Sequence, residues 1–335
     1  MKKRQTILKN HPGEPLAVRA ARQLILIATS LVLAAVFVLV ACSAFPAPTS
    51  QANTAEQTAP TDWKAVEQAL GKAGSMQPGD VYKVSLPRND LKVTVSGLQL
   101  KPAFALGSWI AFKKTGDVTM VMGDLVLTED EVTRVLTKLQ EGGVEQTALH
   151  NHVLHESPRV MYMHIHAMGD AAKIAQAIHD ALALSKTPFA ASAPSSSPTA
   201  DLGIDTRQLD QTLAQSGKLN GGVYQFSVQR VEKIMEIGME VPASMGLATA
   251  INFQPTGSGK AAITGDFVLI ASEVNPVIKA LRDNGIEVTA LHSHLLTETP
   301  RLFFMHFWAN DNAQKLARGL RTALDRMSIA RAQGK

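Results

Sequence analysis

The sequence predicts an α+β protein made of two tandem copies of a mostly antiparallel sheet unit with helices packed on it. Motifs recur at a constant spacing of 142 residues, short strand-like runs dominate each copy, and helical hydrophobic periods follow some of these runs. The chain has 335 residues, more than one average domain, and its 45% apolar residues are enough to form a buried core. Disorder as the main state is therefore excluded.

An internal duplication is visible in the motifs themselves. The 142-residue spacing relates Val81-Tyr82 to Val223-Tyr224, Gly123-Asp124 to Gly265-Asp266, Glu131 to Glu273, His150-Asn151-His152 to His292-Ser293-His294, Pro158-Arg159 to Pro300-Arg301, and Met163-His164 to Met305-His306. A period of this length indicates two domains, or two halves of one pseudo-symmetric body. We assign residues 61–186 to repeat unit 1, residues 187–200, rich in Ala, Pro and Ser, to a linker, and residues 201–330 to repeat unit 2.

Both units have the same predicted order of elements. A short helix opens the unit, and strand-like runs follow it, including VYKVSL, LKVTVSGL, SWIAF and VTMVMGDLVL in unit 1. The next element is an amphipathic helix that begins at a Thr128–Glu131 capping box and ends at Gly142-Gly143. Two further strands, VEQTALHNH and RVMYMHIHA, are joined by a short turn containing Pro158, and a last helix closes the unit.

Residues 1–41 have the composition of a signal peptide. They contain six of the 33 Lys and Arg residues and a single acidic residue, and they end in the uncharged apolar run 24–41. Leu39-Val40-Ala41-Cys42 resembles a bacterial lipobox, which predicts that Cys42, the only cysteine, is lipidated and anchors the chain to a bilayer. Residues 42–60 would then form a flexible tether. The alternative is an uncleaved signal anchor in which Cys42 has no role.

Composition excludes several classes of function. Beyond residue 41 the chain carries a net charge of −1, and only 5% of its residues are aromatic, so no nucleic-acid partner is expected. The sequence contains no Walker loop, no G-x-G-x-x-G before a helix, no H-E-x-x-H and no G-x-S-x-G. Any chemistry must therefore come from other residues.

Histidines concentrate in the two strands that follow the amphipathic helix. In unit 1, His150 and His152 share one strand face because residues i and i+2 point the same way. An antiparallel partner with an even register, in which opposed residue numbers sum to 314 or 316, brings His164 and His166 to that face. The same arithmetic gathers His292, His294 and His306 in unit 2, with Trp308 at the place of His166.

Three converging imidazoles can form a tetrahedral metal site with one open position. We therefore expect a divalent metal, zinc first, although imidazole also suits copper, nickel and iron. The alternative is that these histidines are hydrogen-bonded in a polar core or form a pH-responsive patch. The pattern leaves open whether the two sets form separate sites or face each other across the duplication.

Other polar residues accompany the histidines. Glu156 and Glu298 occupy the same point of the two turns and are candidates for a general base, or else solvated turn carboxylates. Arg159 and Arg301 follow prolines and are candidates for binding an anionic substrate, or for pairing with those glutamates.

Asp124 and Asp266 follow a glycine within a predicted strand. They are interpreted as residues of a structural bulge, with a role as buried acceptors or ligands as the alternative.

The segments ALHNHVLHESPRVMYMHIHA and ALHSHLLTETPRLFFMHFWA, each preceded by a GD-containing strand and a helix, resemble the LppY/LpqO family of bacterial lipoproteins. The resemblance covers nearly all of the chain beyond the tether as two tandem units. Unit 1 departs from unit 2 by having His166 where Trp308 stands and His155 where Thr297 stands. The resemblance implies an extracytoplasmic lipoprotein anchored in the bacterial cell envelope, and it implies no activity.

Three functional hypotheses follow. The first is a metal-binding envelope lipoprotein, with a metal-dependent hydrolase of an envelope component as its catalytic form. The second is a non-catalytic module that binds a cell-wall component, a partner protein or a metal ion for delivery. The third is a structural body whose histidines simply pack.

Overall fold

The computed structural model describes residues 62–190 and 202–330. The predicted signal peptide 1–41, the lipidation site Cys42, the tether 42–60 and residues 191–200 of the predicted linker lie outside the described residues. The first residues of that linker pack on unit 1, where Thr187 is buried and Phe189 contacts the core. Within the described ranges, no helix combines the length and apolarity that crossing a membrane requires.

Unit 1 has one main sheet and helices along the chain. Its helices are α1 (Lys64–Leu70), α2 (Pro102–Ala105), α3 (Glu129–Glu141) and α4 (Ala171–Leu182), and its strands are β1 (Ser75–Gln77), β2 (Val81–Pro87), β3 (Thr94–Val95), β4 (Leu98–Gln99), β5 (Gly107–Thr115), β6 (Val118–Thr128), β7 (Glu145–His150), β8 (Glu156–Ser157) and β9 (Val160–Gly169). The main sheet has the order β1-β2-β5-β6-β9-β7 and is antiparallel throughout.

Unit 2 repeats this arrangement. Its helices are α5 (Thr206–Leu213), a 3-10 turn (Ala243–Met245), α6 (Ala271–Asp283) and α7 (Ala313–Leu324), and its strands are β10 (Lys218–Asn220), β11 (Val223–Val228), β12 (Met235–Glu236), β13 (Met239–Glu240), β14 (Thr249–Gly257), β15 (Lys260–Ile270), β16 (Glu287–His292) and β17 (Leu302–Asn312). The sheet order β10-β11-β14-β15-β17-β16 matches unit 1 strand for strand. The predicted fold class and the internal duplication are confirmed.

One predicted strand takes a different place. The run LKVTVSGL forms only β3 and the first residue of β4, and β3 lies between β4 and β8 in a separate three-stranded sheet. Its apolar side chains Val93 and Val95 are buried in an apolar cluster that also contains Phe104 of the short helix α2. The run therefore has strand-like composition but too little backbone pairing to join the main sheet.

Each main sheet is covered by helices on one face and by the other unit on the opposite face. In β6, Val121 and Leu125 face the helices, whereas Met120 and Met122 belong to a cluster shared with unit 2. This alternation follows from the two-residue period of a strand. The body is therefore four layers deep, helices–sheet–sheet–helices, with two mixed apolar clusters between the sheets. The pseudo-symmetric single body left open by the sequence is the arrangement observed.

A buried ion pair anchors the amphipathic helix of each unit. Arg88 Nη1 lies 2.8 Å from Glu131 Oε2 in unit 1, with both side chains inaccessible to solvent. Arg230 Nη1 lies 2.6 Å from Glu273 Oε2 in unit 2. Glu131 also accepts a hydrogen bond from the backbone N of Thr128, which is one arm of the predicted capping box.

Candidate metal centre

The histidine cluster, defined as His150, His152, His164, His292, His294 and His306, lies between the two sheets. His150 ends the edge strand β7 and His292 ends the edge strand β16. His164 and His306 lie in the neighbouring strands β9 and β17, on the face turned away from the helices. Four of the six are at most 9% exposed, and His152 and His292 are half-buried.

The register differs from the predicted sums while keeping the expected parity. Ala148 pairs with His164 and His150 pairs with Tyr162, so opposed residue numbers sum to 312 rather than 314 or 316. An even sum keeps His150 and His164 on one face. The two strands are joined by residues 151–159, which contain β8, rather than by a short turn. His152 therefore lies beyond the end of β7, in the connection.

The two histidine sets face each other across the duplication. Each cluster histidine of one unit stacks on a cluster histidine of the other. The ring centroids are 3.6 Å apart for His150 and His292, 3.9 Å for His152 and His306, and 3.7 Å for His164 and His294. The histidines therefore form one cluster shared by both units, rather than a separate histidine set within each unit.

Reciprocal hydrogen bonds hold the connections across the pseudo-twofold axis. Thr147 Oγ1 of β7 donates to the carbonyl oxygen of His294 at 2.6 Å. Thr289 Oγ1 of β16, its counterpart, donates to the carbonyl oxygen of His152 at 2.5 Å. Each unit thus positions the second histidine of the other unit's His-x-His motif.

Three groups of side chains bring ligand atoms within 4.8 Å of one another. They are His150, His152 and His306; His150, His164 and His292; and Asp266, His292 and His294. The first two groups combine both units. Among the described residues, no such group consists of the three histidines of a single unit.

Asp124 and Asp266 complete the cluster, and no bulge surrounds them. Asp124 pairs with His164 in the β6–β9 ladder and Asp266 with His306 in the β15–β17 ladder, without a register shift. Asp124 Oδ2 lies 3.8 Å from His152 Nε2, and Asp266 Oδ2 lies 3.3 Å from His294 Nε2. The bulge interpretation was wrong, because both carboxylates point at imidazoles.

The glycine before each aspartate allows a close approach of strands. A Cβ at Gly265 would lie 1.9 Å from the carbonyl oxygen of Ala250, and one at Gly123 would lie 2.9 Å from that of Trp109. Any other residue would push the neighbouring strand away. The Gly-Asp motif therefore lets a carboxylate sit in a tightly packed strand.

Each cluster side chain has at least one ligand-forming atom without a hydrogen-bond partner within the protein. Nε2 of all six histidines and Oδ1 of both Asp124 and Asp266 are buried without a hydrogen bond. A buried polar atom left unpaired costs about 1–3 kcal/mol. These eight atoms converge on one region, so the donor set fits a metal centre of nitrogen and oxygen ligands.

Hydrogen bonds at the other ring nitrogen orient two of the imidazoles. His306 Nδ1 lies 2.8 Å from the carbonyl oxygen of Gly265, and His150 Nδ1 lies 3.0 Å from that of Asn151. A carbonyl can only accept, so each Nδ1 carries the hydrogen and leaves a lone pair on Nε2. Metal-binding histidines commonly donate the N–H of one ring nitrogen to a carbonyl oxygen and bind the metal through the other ring nitrogen.

Burial sets the protonation state of the imidazoles. It lowers the pKa of His150 and of His294 to about 3 and that of His306 to about 4. Burial also lowers the pKa of His152 and His164 well below the usual 6.5. These rings are neutral at pH 7, which is the form that binds metals.

The carboxyl groups respond in the opposite direction. Burial raises the pKa of Asp124 to about 8, with a further rise from Asp266 and a small fall from Lys83. Burial raises the pKa of Asp266 to about 6, while His306 opposes this rise. A divalent cation in contact with both groups would favour their ionised forms.

The remaining candidate residues lie around the cluster or outside it. His166 is buried, with Nδ1 3.5 Å from Glu145 Oε2, and belongs to none of the three ligand groups. His155 is exposed. Arg159 is exposed and lies 3.8 Å from Glu129, whereas Arg301 pairs with Glu298 at 3.3 Å.

The two candidate glutamates differ. Glu298 is buried, and its Oε1 accepts a hydrogen bond from Leu302 N while its Oε2 contacts Arg301. In Glu156, Oε1 accepts from Val160 N at 3.1 Å, but Oε2 is buried without a partner. Burial raises the pKa of Glu156 to about 7.

Sequence reasoning missed Tyr162. Its ring stacks on His152 with centroids 3.2 Å apart, and its buried hydroxyl has no partner. Phe304 takes its place in unit 2 and stacks on His294 at 3.4 Å. The sequence could have indicated Tyr162, because it lies two residues from His164 in β9 and therefore on the same strand face.

One protein family model matches the chain twice. A family model described as Domain of Unknown Function (DUF1259) matches residues 64–184 and again residues 207–326. The chain belongs to this family. Both matches contain one set of the cluster histidines.

No curated protein matches the chain. Two solved structures are similar to it: the trimeric bacterial microcompartment shell protein PduB, with 14% identity and a TM-score of 0.21, and EtuB from Clostridium kluyveri, with 8% identity and a TM-score of 0.20. Each similarity covers 78% of this chain, and 96% and 98% of the respective shell-protein chains. TM-scores this low do not indicate a shared fold.

Proposed function

We propose that the protein is an envelope-anchored lipoprotein that binds zinc at the histidine cluster between its two units. The observation that carries the proposal is the convergence of eight buried, unpaired ligand atoms from six histidines and two aspartates. In a structural body whose histidines merely pack, such atoms would be expected to find hydrogen-bond partners. A bound cation supplies a partner to all atoms that reach it.

The donor set favours zinc among the common divalent metals. Imidazole nitrogens and carboxylate oxygens suit zinc, which is most often four-coordinate. The cluster contains no thiolate or thioether ligand, so soft ions such as Cu(I) are disfavoured. The burial of the site favours retention of the ion over rapid exchange.

The envelope location rests on the amino-terminal sequence. A basic stretch, an uncharged apolar run and the lipobox-like sequence ending in Cys42 support lipidation. The resemblance to LppY/LpqO lipoproteins supports the same location. The lipid on Cys42 would hold the metal centre close to the outer side of a membrane.

Metal content tests this function. The full-length protein, purified in detergent without a histidine tag, is expected to retain zinc through desalting, as measured by mass spectrometry. His150→Ala and His292→Ala should reduce the zinc content, whereas His155→Ala and His179→Ala, outside the cluster, should leave it unchanged. Absence of bound metal after reconstitution with zinc, copper, nickel and iron would refute the proposal.

A hydrolase is the second candidate function, and Glu156 favours it. A carboxyl group with one unpaired oxygen and a pKa of about 7 has the properties of a general base at neutral pH. Glu156→Gln is then expected to abolish turnover in a screen of ester, amide and phosphate substrates while zinc stays bound. The already paired Glu298 supplies the control, since Glu298→Gln should not remove a base. Turnover that survives Glu156→Gln would contradict this candidate.

A further inference from the structure

We propose that the histidine cluster holds two metal ions, each bound by the His-x-His pair of one unit and the third histidine of the other. Site I consists of His150, His152 and His306, and site II consists of His292, His294 and His164. This inference rests on the proposed zinc binding and adds to it the number of ions and the division of the ligands between them.

The close ring pairs that cross the axis, His152 with His306 and His164 with His294, each fall within one site. Site I is one of the three ligand groups, whereas site II takes His164 and His292 from the second group and His292 and His294 from the third. In site I the centroids are 5.2 Å apart for His150 and His152, 5.1 Å for His150 and His306, and 3.9 Å for His152 and His306. In site II they are 5.0 Å apart for His292 and His294, 5.5 Å for His164 and His292, and 3.7 Å for His164 and His294. The pseudo-twofold axis turns one trio into the other, so an ion bound off the axis has an equivalent place on the other side.

The number of unpaired ligand atoms points to two ions. One four-coordinate zinc engages four ligands and would leave half of the eight buried atoms without partners. Those four atoms would each cost about 1–3 kcal/mol. Two four-coordinate ions engage one atom of each of the eight side chains, three imidazoles and one carboxylate oxygen for each ion, while Nδ1 of His292 and His294 stays unpaired in both cases.

The aspartates lie between the two sites. Asp124 is 3.8 Å from His152 of site I and 4.0 Å from His164 of site II. Asp266 is 3.3 Å from His294 of site II and pairs with His306 of site I across the β15–β17 ladder. Each aspartate therefore lies beside ligands of both sites and can supply its unpaired Oδ1 to one of the two ions.

Charge identifies what a pair of ions would attract. Two divalent cations and two aspartates leave an excess of two positive charges in a buried region, so an anion, either hydroxide or a small oxyanion such as phosphate, is the expected additional ligand. Tyr162 offers a free hydroxyl donor beside His152 for it. A single ion would balance the aspartates but would leave ligand atoms unpaired.

Paired substitutions distinguish the possibilities. The full-length protein is saturated with zinc, desalted and analysed for zinc per chain, with folding checked by circular dichroism. We expect two ions in the wild type, one in His152→Asn/His306→Asn, which removes two ligands of site I, and none in His152→Asn/His164→Asn, which removes one ligand from each site. The control His155→Asn/His166→Asn should keep two.

Each alternative gives a different result. Sites confined to single units would keep one ion in His152→Asn/His164→Asn and none in His152→Asn/His306→Asn, which overturns the inference. One ion in the wild type also overturns it but leaves zinc binding intact, whereas no ion refutes both. If a double variant does not fold, the single variants His152→Asn and His164→Asn are each expected to keep one ion, and loss of both ions from either would contradict two separable sites.

Discussion

The two units agree in the residues proposed as metal ligands but differ in the residues around those ligands. The three histidines and the aspartate occur at equivalent positions in both units, as does the buried arginine–glutamate pair. The surrounding residues do not agree. Unit 1 has Tyr162, His166 and Lys83 where unit 2 has Phe304, Trp308 and Gln225.

The residues that agree between the units are the proposed metal ligands, and the residues that differ surround those ligands. The symmetric residues supply the ligands of the proposed centre, and two of the three ligand groups combine side chains of both units. The asymmetric residues leave different polar atoms unpaired in the two units, namely Tyr162 Oη and Glu156 Oε2 in unit 1 and Thr264 Oγ1 and Glu236 Oε2 in unit 2. At the positions of Tyr162 and Glu156, unit 2 has Phe304, which has no hydroxyl, and Glu298, which is held by Arg301. The two units therefore offer different polar groups to an external ligand.

The residues that agree between the units predict that equivalent substitutions in the two units have equal effects. The largest expected effect is on the free energy of unfolding. Glu131→Gln leaves Asp90 as the carboxylate paired with the buried Arg88 guanidinium, and Glu273→Gln leaves Glu232 paired with Arg230. Breaking a buried pair outright costs about 3–5 kcal/mol, and the remaining carboxylate holds each loss below that range. Urea unfolding should show similar losses in both variants. A loss in one variant only would contradict the equal effects predicted for the two units.

Zinc removal should destabilise both units together. A ligand present at a thousandfold excess over its Kd stabilises the folded state by about 4 kcal/mol. Because the centre joins the units, chelation should lower the melting temperature of one cooperative transition. Two separate transitions, of which only one responds to the chelator, would contradict a shared centre.

The metal-free protein should lose stability as the pH falls below about 6.5. The histidines stay neutral in the folded state because burial lowers their pKa, to about 4 for His306 and about 3 for His150, but they take up protons when unfolded. Asp124 and Asp266, with raised pKa values of about 8 and 6, oppose this by holding protons in the folded state. Glu156, whose pKa burial raises to about 7, also holds a proton in the folded state. Six histidines outweigh these three carboxyl groups, and roughly 1 kcal/mol is lost between pH 7 and 6. Urea unfolding of the metal-free protein at the two pH values measures the loss, and unchanged stability would contradict buried neutral imidazoles.

The asymmetric surroundings predict a smaller and unequal effect. Tyr162→Phe removes a buried hydroxyl that has no partner, so stability should stay constant or rise by up to about 1 kcal/mol. The matched control is Tyr224→Phe, which removes a hydroxyl that donates to Asp210 at 2.7 Å and should cost about 1 kcal/mol. Equal losses in both variants, measured by thermal unfolding, would show that the Tyr162 hydroxyl is already paired.

Local patterns predicted most of the fold. The capping residue Thr128 and the apolar period before Gly142-Gly143 predicted a helix that the structure places at Glu129–Glu141. Alternation along β6 and β9 predicted which residues share a face. The LKVTVSGL run failed because strand composition does not determine which partner strand is available.

The sequence predicted which histidines of one unit share a strand face, but it did not predict how the two units combine them. Spacing alone indicated that His150 and His164 share a face, but the register depended on a nine-residue connection that pairs through β8 with β3. The contact between His150 and His292 depends on how two sheets pack, which involves residues 142 positions apart. No local period encodes such a contact, so the mixed ligand groups required the structure.

The most direct test of a shared centre is a crystal structure of the zinc-loaded protein with anomalous diffraction measured at the zinc edge. A centre built by both units predicts anomalous peaks between the sheets, about 2.0–2.1 Å from imidazole nitrogens that include His306 together with His150 or His152. Peaks coordinated by the histidines of one unit only, or no peak between the sheets, would contradict it.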